Sequence, residues 1–170
     1  MRLETDPSLF HFSADVRVRW ADTDAVGIAY NGAYLTWFEV ARVEYFRASM
    51  AWKLGCSIDD PRVQDTLFQE RGAVFTLAAS TLNWRLPARV DQRLRAATRI
   101  SRIGSTSMDH QLHLTRPSDG AVIALGESTQ VRVHPQTLQP MPLDPAMIQD
   151  LQGFDAALRS GKAHFPPRMA

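Results

Sequence analysis

The chain has 170 residues, of which 45% are hydrophobic and 22% charged, a composition typical of one soluble globular domain. Nineteen lysines and arginines against 18 aspartates and glutamates leave a formal charge of +1, which excludes the strongly basic surface that nucleic acid or an anionic membrane would require. Cys56 is the single cysteine, so we expect no internal disulfide and no cysteine-based zinc site. The amino terminus lacks an export signal, and no apolar run approaches the roughly 20 residues of a spanning helix. We therefore predict a cytoplasmic protein.

The first half of the chain predicts one strand and one long helix. Apolar and basic residues alternate from Val16 to Trp20, which is typical of a half-buried strand with Val16, Val18 and Trp20 on its covered face. After a polar break, helical spacing of apolar residues predicts a helix from about Asn31 to Met50. The main apolar positions are Tyr34, Trp37, Phe38, Ala41, Tyr45 and Ala48. Further apolar residues outside this stripe predict that protein surrounds the helix, and residues 51–72 suggest a loop with a short helical turn.

The second half of the chain predicts four strands and a short helix. The segments rich in β-branched and aromatic residues are Ala73 to Leu86, Gln92 to Ile103, Thr106 to Arg116 and Ala121 to His134. The breaks between them are short and contain turn-forming residues, so we expect consecutive strands to pair antiparallel. Asp144 followed by Pro145 predicts the N-cap and first residue of a terminal helix that ends near Gly153.

This order of elements predicts an α+β fold, in which a five-stranded antiparallel sheet wraps around one long central helix. Such an arrangement accounts for both the apolarity of the helix and the alternation in the strands. We expect a single domain over residues 1–170, with a core from about 14 to 150 and a peripheral tail over 154–170.

Several chemistries are excluded by missing motifs. The sequence has no GxSxG, no phosphate-binding GxxxxGK[ST] or GxGxxG, and no HExxH. His110 and His113 lie three residues apart in a predicted strand, so their side chains point to opposite faces and cannot bind one metal ion. We predict no metal site and no cofactor.

The segment between the first strand and the helix is the strongest candidate for a site. It places Asp22 and Asp24 close to the start of the helix near Asn31. The free N–H groups and positive dipole end of a helix start polarise a carbonyl group, and a nearby carboxylate supplies a base or nucleophile. The alternative is structural: the two aspartates form turns, and the side-chain oxygen of Asn31 caps the helix.

Residues 19–47, RWADTDAVGIAYNGAYLTWFEVARVEYFR, resemble the signature of hotdog-fold acyl-CoA thioesterases of the 4-hydroxybenzoyl-CoA thioesterase type. The likeness extends over about residues 14–150 and includes the turn PARVD. It implies hydrolysis of an acyl-CoA or acyl carrier protein thioester, with Asp24 as nucleophile or general base. It also implies that the backbone N–H of Asn31 polarises the thioester carbonyl. Part of the family has histidine or tyrosine at 31 and asparagine at 33, where this chain has Asn31 and Ala33, a departure that leaves the backbone donor intact.

The resemblance also implies binding residues and an assembly. Candidates for the acyl pocket are Tyr30, Tyr34, Trp37 and Phe38, although aromatic residues at helical spacing are also typical of an ordinary core. Candidates for contact with coenzyme A are Arg102, Gly104, Ser105 and Thr106, although a solvated turn has the same composition. Relatives of this type form homodimers or homotetramers with sites between subunits, and a five-stranded sheet with an exposed edge favours the same arrangement.

Two other functions are also compatible with the sequence. A hotdog hydratase or dehydratase pairs a carboxylate with a histidine, but no histidine occurs between His11 and His110. A non-catalytic module that binds acyl thioesters would keep Asp24 only as a turn residue.

Overall fold

A computed structural model describes residues 3–68, 73–165 and 169. The strands are β1 (Phe12–Arg17), β2 (Val74–Trp84), β3 (Arg93–Ile103), β4 (Ser107–Arg116) and β5 (Ala121–Val133). The helices are α1 (Asn31–Leu54), α2 (Pro61–Phe68) and α3 (Pro145–Arg159). All strand pairs are antiparallel and form a single five-stranded sheet. The predicted α+β architecture, with one long helix against this sheet, is confirmed.

The order of strands in the sheet is β1-β3-β4-β5-β2, so the predicted pairing of β2 with β3 is wrong. Residues 85–92 instead cross from one side of the sheet to the other. The N–H groups of Arg85 and Leu86 still donate to Ile123, but the carbonyl of Ala88 accepts from Ala29 at 2.8 Å. Ala88 is fully buried there. The chain therefore uses this proline-containing break to cover the start of α1 instead of closing a hairpin.

The long helix lies with its predicted stripe against the sheet, and all six residues of the stripe are buried. Gly126 of β5 permits this close approach, because a Cβ there would lie 3.1 Å from the ring of Phe38. The opposite side is less covered than expected, since Leu35 is 41% exposed. The helix continues past Met50 to Leu54 and ends at Gly55, whose φ of +62° suits glycine.

The first strand begins earlier and ends earlier than its alternation predicts. Val16 and Val18 are buried as expected, but Trp20 is 80% exposed. The chain leaves the sheet because Trp20–Asp22 forms a 3-10 turn, in which the Asp22 carboxylate accepts from the backbone N–H of Arg19 at 2.8 Å. Trp20 therefore does not lie on the covered face.

The terminal helix corrects the prediction of a peripheral tail. It begins as expected, with the Asp144 side chain accepting from the N–H of Ala146 at 2.8 Å, but it runs to Arg159 and does not end near Gly153. Phe154 is fully buried against Tyr45 and Trp52 of α1, and Leu158 lies in the same cluster. Residues 154–163 therefore contribute to the core.

Two apolar clusters result from this packing. One joins the first half of α1 to the sheet, and the other joins the second half of α1 to α3 and the Phe12 end of β1. None of the helices in the described part of the chain combines the length and apolarity that crossing a bilayer requires.

Candidate active site

The segment between β1 and α1 folds back on itself as a small antiparallel loop. Thr23 and Ala29 form a β-bridge, the N–H of Asp24 donates to the carbonyl of Ile28 at 2.9 Å, and the N–H of Tyr30 donates to the carbonyl of Asp22 at 3.0 Å. Gly27 closes the turn with a φ of +77°. The structure thereby places Asp24 and the start of α1 on one loop, as the sequence predicts.

Asp22 is the structural carboxylate of this loop. It is buried, and its Oδ1 accepts from Nη2 of Arg19 at 2.8 Å while its Oδ2 accepts from the Arg19 backbone. These hydrogen bonds from Arg19 lower the pKa of Asp22 below its ordinary value, and the Trp37 side chain acts in the same direction. Asp22 is therefore ionised, and both of its carboxylate oxygens accept hydrogen bonds from Arg19 that stabilise the loop.

Asp24 differs from Asp22 because its side chain is exposed. Its Oδ1 accepts from the N–H of Val26 at 2.9 Å, which forms an Asx turn. Within residues 3–68, 73–165 and 169, its Oδ2 has no hydrogen-bond partner. One oxygen of Asp24 therefore shapes the turn, as the structural alternative expects, and the other is available to a water molecule or a substrate.

The start of α1 has free backbone donors. Tyr30 is the N-cap and makes no side-chain capping bond, so the alternative in which Asn31 caps the helix is wrong: Asn31 is the first helical residue. Ala33 donates its N–H to the carbonyl of Tyr30 at 3.0 Å. As far as the chain is described, the N–H groups of Asn31 and Gly32 have no acceptor. Two backbone donors and the positive end of a 24-residue helix thus coincide on the loop of Asp24.

Tyr30 is the one acyl-pocket candidate at the surface of the described chain, with 46% of its area exposed. Its ring lies over the first turn of α1, because a Cβ at Gly32 would be 2.7 Å from Cε2 of Tyr30. The ring therefore borders the free N–H groups.

The other three acyl-pocket candidates belong to the core of the single chain. Tyr34, Trp37 and Phe38 are buried in the cluster between α1 and the sheet, and the Tyr34 hydroxyl accepts from the N–H of Ala88 at 3.2 Å. Sequence reasoning missed Trp84, an exposed residue at the end of β2 whose ring meets Tyr34 edge-on at 6.3 Å. Its position in an alternating strand gave no sign that it would lie near the helix start.

The candidates for contact with coenzyme A lie far from this loop in the same chain. Arg102 donates from Nε to Asp109 at 2.6 Å, and Gly104 donates its N–H to the carbonyl of Ser107 at 2.8 Å. The turn with Ser105 and Thr106 follows the Ile103 end of β3, whereas the other end of β3 pairs with β1 next to the loop. At about 3.3 Å a residue, β3 separates the two places by roughly 30 Å.

The histidines are arranged as the strand geometry predicts. His110 contacts Phe46 of α1, and His113 contacts Phe10 at 5.3 Å on the other face of β4. Burial lowers the pKa of His110 to about 3, so it is neutral. The described residues contain no group of three or more histidine, cysteine, aspartate or glutamate side chains able to hold a metal ion.

Comparisons with known proteins agree with this architecture. The thioesterase-like superfamily matches residues 18–151. Acyl-CoA thioesterase YbgC of Haemophilus influenzae is 30% identical over 105 residues, which cover 62% of this chain and 69% of that protein. Acyl-CoA thioester hydrolase YbgC of Escherichia coli O6:H1 is 27% identical over 141 residues, which cover 83% of this chain and 96% of that protein. The crystal structure of a 1,4-dihydroxy-2-naphthoyl-CoA thioesterase from Synechocystis shares the fold, with a TM-score of 0.69 at 15% identity over 85% of this chain and 97% of that one. The predicted hotdog fold is confirmed, and the chain belongs to the thioesterase-like superfamily.

Proposed function

We propose that the protein hydrolyses acyl-CoA thioesters to the free acid and coenzyme A. The observation that carries the proposal is the free backbone N–H groups of Asn31 and Gly32 on the same loop as the free Oδ2 of Asp24, within the described residues. The names of the two YbgC relatives, an acyl-CoA thioesterase and an acyl-CoA thioester hydrolase, support the same reaction. An acyl carrier protein thioester has the same reacting group and remains a second form of the substrate.

The helix start would act on the thioester carbonyl. Its oxygen would accept hydrogen bonds from the N–H groups of Asn31 and Gly32, which stabilise the negative charge that develops when the carbonyl carbon is attacked. These donors are fixed by the helix backbone, so they need no reorganisation during the reaction. Because a thiol has a pKa of roughly 8.5, the thiolate leaves without a strong general acid.

Asp24 would supply the attacking group by one of two routes. As a general base, Oδ2 takes a proton from water, the water oxygen bonds to the carbonyl carbon, the carbon–sulfur bond breaks, and the thiolate takes up the proton. As a nucleophile, Oδ2 bonds to the carbonyl carbon and releases the thiolate, and water then hydrolyses the resulting mixed anhydride. Both routes end in the same acid and thiol.

We further propose that the active protein is a homodimer or homotetramer with sites between subunits. β2 is at the edge of the sheet and exposes Val74, Leu77 and Trp84, which favours pairing with a second chain. If the β2 edges of two chains pair antiparallel, each strand of the partner's sheet runs in the direction opposite to its counterpart in the first chain. The turn after the partner's β3 would then lie at the same end of the joint sheet as the helix start. That arrangement allows Arg102 and Gly104–Thr106 of one chain to contact the coenzyme bound to the other.

A thiol-release assay over a panel of aliphatic and aromatic acyl-CoAs tests the proposal. We expect Asp24→Asn to lose at least about 100-fold in kcat on the best substrate, the lower end of the effect of a general base. The matched control is Asp65→Asn, which changes an exposed aspartate on α2. Turnover by Asp24→Asn equal to that of the control would contradict the role of Asp24.

The second candidate is a non-catalytic module that binds acyl thioesters. It is favoured by the Asx turn, because Oδ1 of Asp24 accepts a hydrogen bond from the backbone N–H of Val26 and so has a structural role. Saturable binding of acyl-CoAs without thiol release would support this module. A hydratase is disfavoured, because His110 and His113 lie on β4 and are buried on its two faces, away from the loop of Asp24.

A further inference from the structure

Two exposed arginines, Arg85 and Arg89, lie on the segment that crosses the end of the sheet beside α1. Arg89 forms an antiparallel β-bridge with Ile28 of the loop between β1 and α1. One position earlier, the carbonyl of Ala88 accepts from the N–H of Ala29 at 2.8 Å. The Cα atoms of the two arginines are no more than roughly 14 Å apart, since only three residues separate them. Both arginines therefore border the candidate active site of their own chain.

Neither arginine has a carboxylate partner among the described residues, although arginines close to them do. Asp91, the acidic residue nearest to Arg89 in sequence, pairs with Arg17 at 2.8 Å. The guanidinium groups of Arg85 and Arg89 are therefore available to an anion from solution, and each has five N–H donors. The arginines at the same end of the sheet that have a carboxylate within 4.0 Å are Arg17, Arg19, Arg93, Arg95 and Arg116.

The backbone that carries Arg89 is held in place. Its N–H donates to Oε1 of Gln92 at 2.9 Å, and its carbonyl accepts from the N–H of Gln92 at 3.2 Å. Ala88 is fully buried, and its N–H donates to the Tyr34 hydroxyl at 3.2 Å. A ligand that binds the Arg89 guanidinium group therefore has to order only the side chain, which limits the entropy lost on binding.

Exposed apolar side chains accompany the arginines on this side of the helix start. Trp84, Leu86 and Tyr30 are each more than 40% exposed. Trp84 and Leu86 flank Arg85 in sequence, and the ring of Trp84 meets Tyr34 of the first helical turn edge-on at 6.3 Å. A ligand that extends from the helix start to the arginines therefore contacts apolar surface as well as positive charge.

We propose that Arg85 and Arg89 bind the phosphate groups of the coenzyme A whose thioester lies at the start of α1. The inference rests on the proposed function, which places the thioester carbonyl at the N–H groups of Asn31 and Gly32. In coenzyme A, a pantetheine arm separates the sulfur atom from the pyrophosphate and the 3′-phosphate, so the phosphates reach beyond the loop to this segment. Guanidinium groups form paired hydrogen bonds with phosphate oxygens. The site adds to the contact proposed for the turn after the partner's β3, because coenzyme A has several phosphate groups.

Thiol release from acyl-CoA and from acyl-pantetheine, which has no phosphate, tests the assignment. For the double variant Arg85→Gln/Arg89→Gln we expect KM for acyl-CoA to rise at least about 10-fold, with kcat within about twofold of wild type. Each single variant should give a rise of about 3- to 5-fold, since both side chains are exposed. KM for acyl-pantetheine should not change, because that substrate has no group for the arginines to bind.

Acyl-phosphopantetheine separates coenzyme A from a carrier protein as the source of the charge. It has only the phosphate that the arms of both carriers share, so the double variant should raise its KM less than that of acyl-CoA. An equal rise would assign the site to the shared phosphate and overturn the choice of coenzyme A.

Arg116→Gln is the matched control. It removes a positive charge at the same end of the sheet, but this guanidinium group is already engaged by Asp119, to which it donates at 3.0 and 2.6 Å. We expect its KM for acyl-CoA to stay at the wild-type value. An equal rise in KM for the control and the double variant would assign the effect to overall charge and overturn the site.

Calorimetric titration with free coenzyme A measures the site without hydrolysis. We expect the double variant to bind coenzyme A at least about 10-fold more weakly than wild type. Unchanged KM and binding in the double variant, or an equal rise in KM for acyl-pantetheine, would overturn the inference. If Arg102→Gln raises KM and the double variant does not, the inference is overturned and the proposed hydrolysis stands. If no thioester is hydrolysed but the double variant loses coenzyme A binding, the proposed hydrolysis fails and the phosphate site stands.

Discussion

Replacing Asn31 with proline removes the backbone N–H that the proposed mechanism needs and little else. Asn31 is the first residue of α1, a position at which proline is common because the N–H there has no acceptor within the helix. The preceding residue, Tyr30, has φ −71° and ψ 155°, the extended conformation that a following proline requires. The Asn31 side chain is exposed, which leaves room for the ring. We therefore expect Asn31→Pro to fold normally.

The expected effects on activity and on stability have opposite signs. Removing one donor from an oxyanion-binding group costs about 100- to 1,000-fold in kcat. Because the Gly32 N–H is also free in the described chain, we expect the lower end, about 100-fold. Proline at a compatible position restricts the unfolded chain, which raises the free energy of unfolding by about 0.4–1 kcal/mol. A loss of activity with unchanged or increased stability cannot result from unfolding.

Thiol release on the best acyl-CoA of the panel, together with urea denaturation, measures both quantities. Asn31→Ala is the matched control, because it removes the side chain and keeps the N–H. We expect this control to retain at least half of the wild-type kcat. The backbone mechanism is refuted if Asn31→Pro retains wild-type kcat, or if Asn31→Ala loses as much as Asn31→Pro.

Two further predictions concern the elements that hold the site and the core. Asp22→Asn should lower the free energy of unfolding by about 1 kcal/mol at pH 7, since the Arg19 partner is exposed to solvent. Because the folded chain lowers the pKa of Asp22, its ionised form stabilises the fold above about pH 5 and loses that effect as the pH falls through the folded pKa. Urea denaturation from pH 7 to pH 2 should show the difference between the two proteins closing in acid; a constant difference would contradict the ion pair. Phe154→Ala should lower the free energy of unfolding by about 3–5 kcal/mol in the same assay at pH 7, because Phe154 is fully buried. A decrease of less than about 0.5 kcal/mol would indicate that Phe154 belongs to a peripheral tail, as the sequence predicts.

The bounds of β2 to β5 could be predicted from the sequence because alternation and turn residues are local signals, whereas β1 begins and ends earlier than its alternation predicts. The partner of β2 could not be predicted in this way. Whether residues 85–92 close a hairpin or cross the sheet depends on Ala88, whose carbonyl bonds to Ala29 far away in sequence. Short turns predict hairpins only when no tertiary contact competes with them.

The end of α3 shows local propensity outweighed by packing. Gly153 suggests a helix end, because glycine inside a helix costs about 1 kcal/mol relative to alanine. Burial of a phenylalanine side chain contributes about 1.5–3 kcal/mol, and Phe154 is fully buried only if the helix continues. A Cβ at Gly153 would also lie 3.3 Å from the ring of Trp52, so the glycine suits this contact between α3 and α1.

The candidate site was predictable in composition but not in geometry. Asp24 and the helix start could be selected from residue types and their order, and the resemblance assigned their roles. The sequence favoured an Asn31 cap, because asparagine is among the preferred capping residues. In the structure the chain turns one residue earlier, since the N–H of Tyr30 is bound by the carbonyl of Asp22. That bond engages the N–H of Tyr30, and the N–H groups of Asn31 and Gly32 have no acceptor in the described residues.

The loop is held together without using the groups that the proposed reaction needs. A capping side chain at the start of α1 would contribute about 1 kcal/mol, but it would occupy one of the N–H groups that we propose to bind the thioester carbonyl. The chain has Tyr30 at this position and makes no side-chain cap. The fold is instead secured one step away, by the ion pair of Asp22 with Arg19 and by the Thr23–Ala29 bridge. The start of this long helix therefore forgoes the stabilisation that a capping side chain would add. Its N–H groups stay free, and free donors are what a site that stabilises a developing negative charge requires.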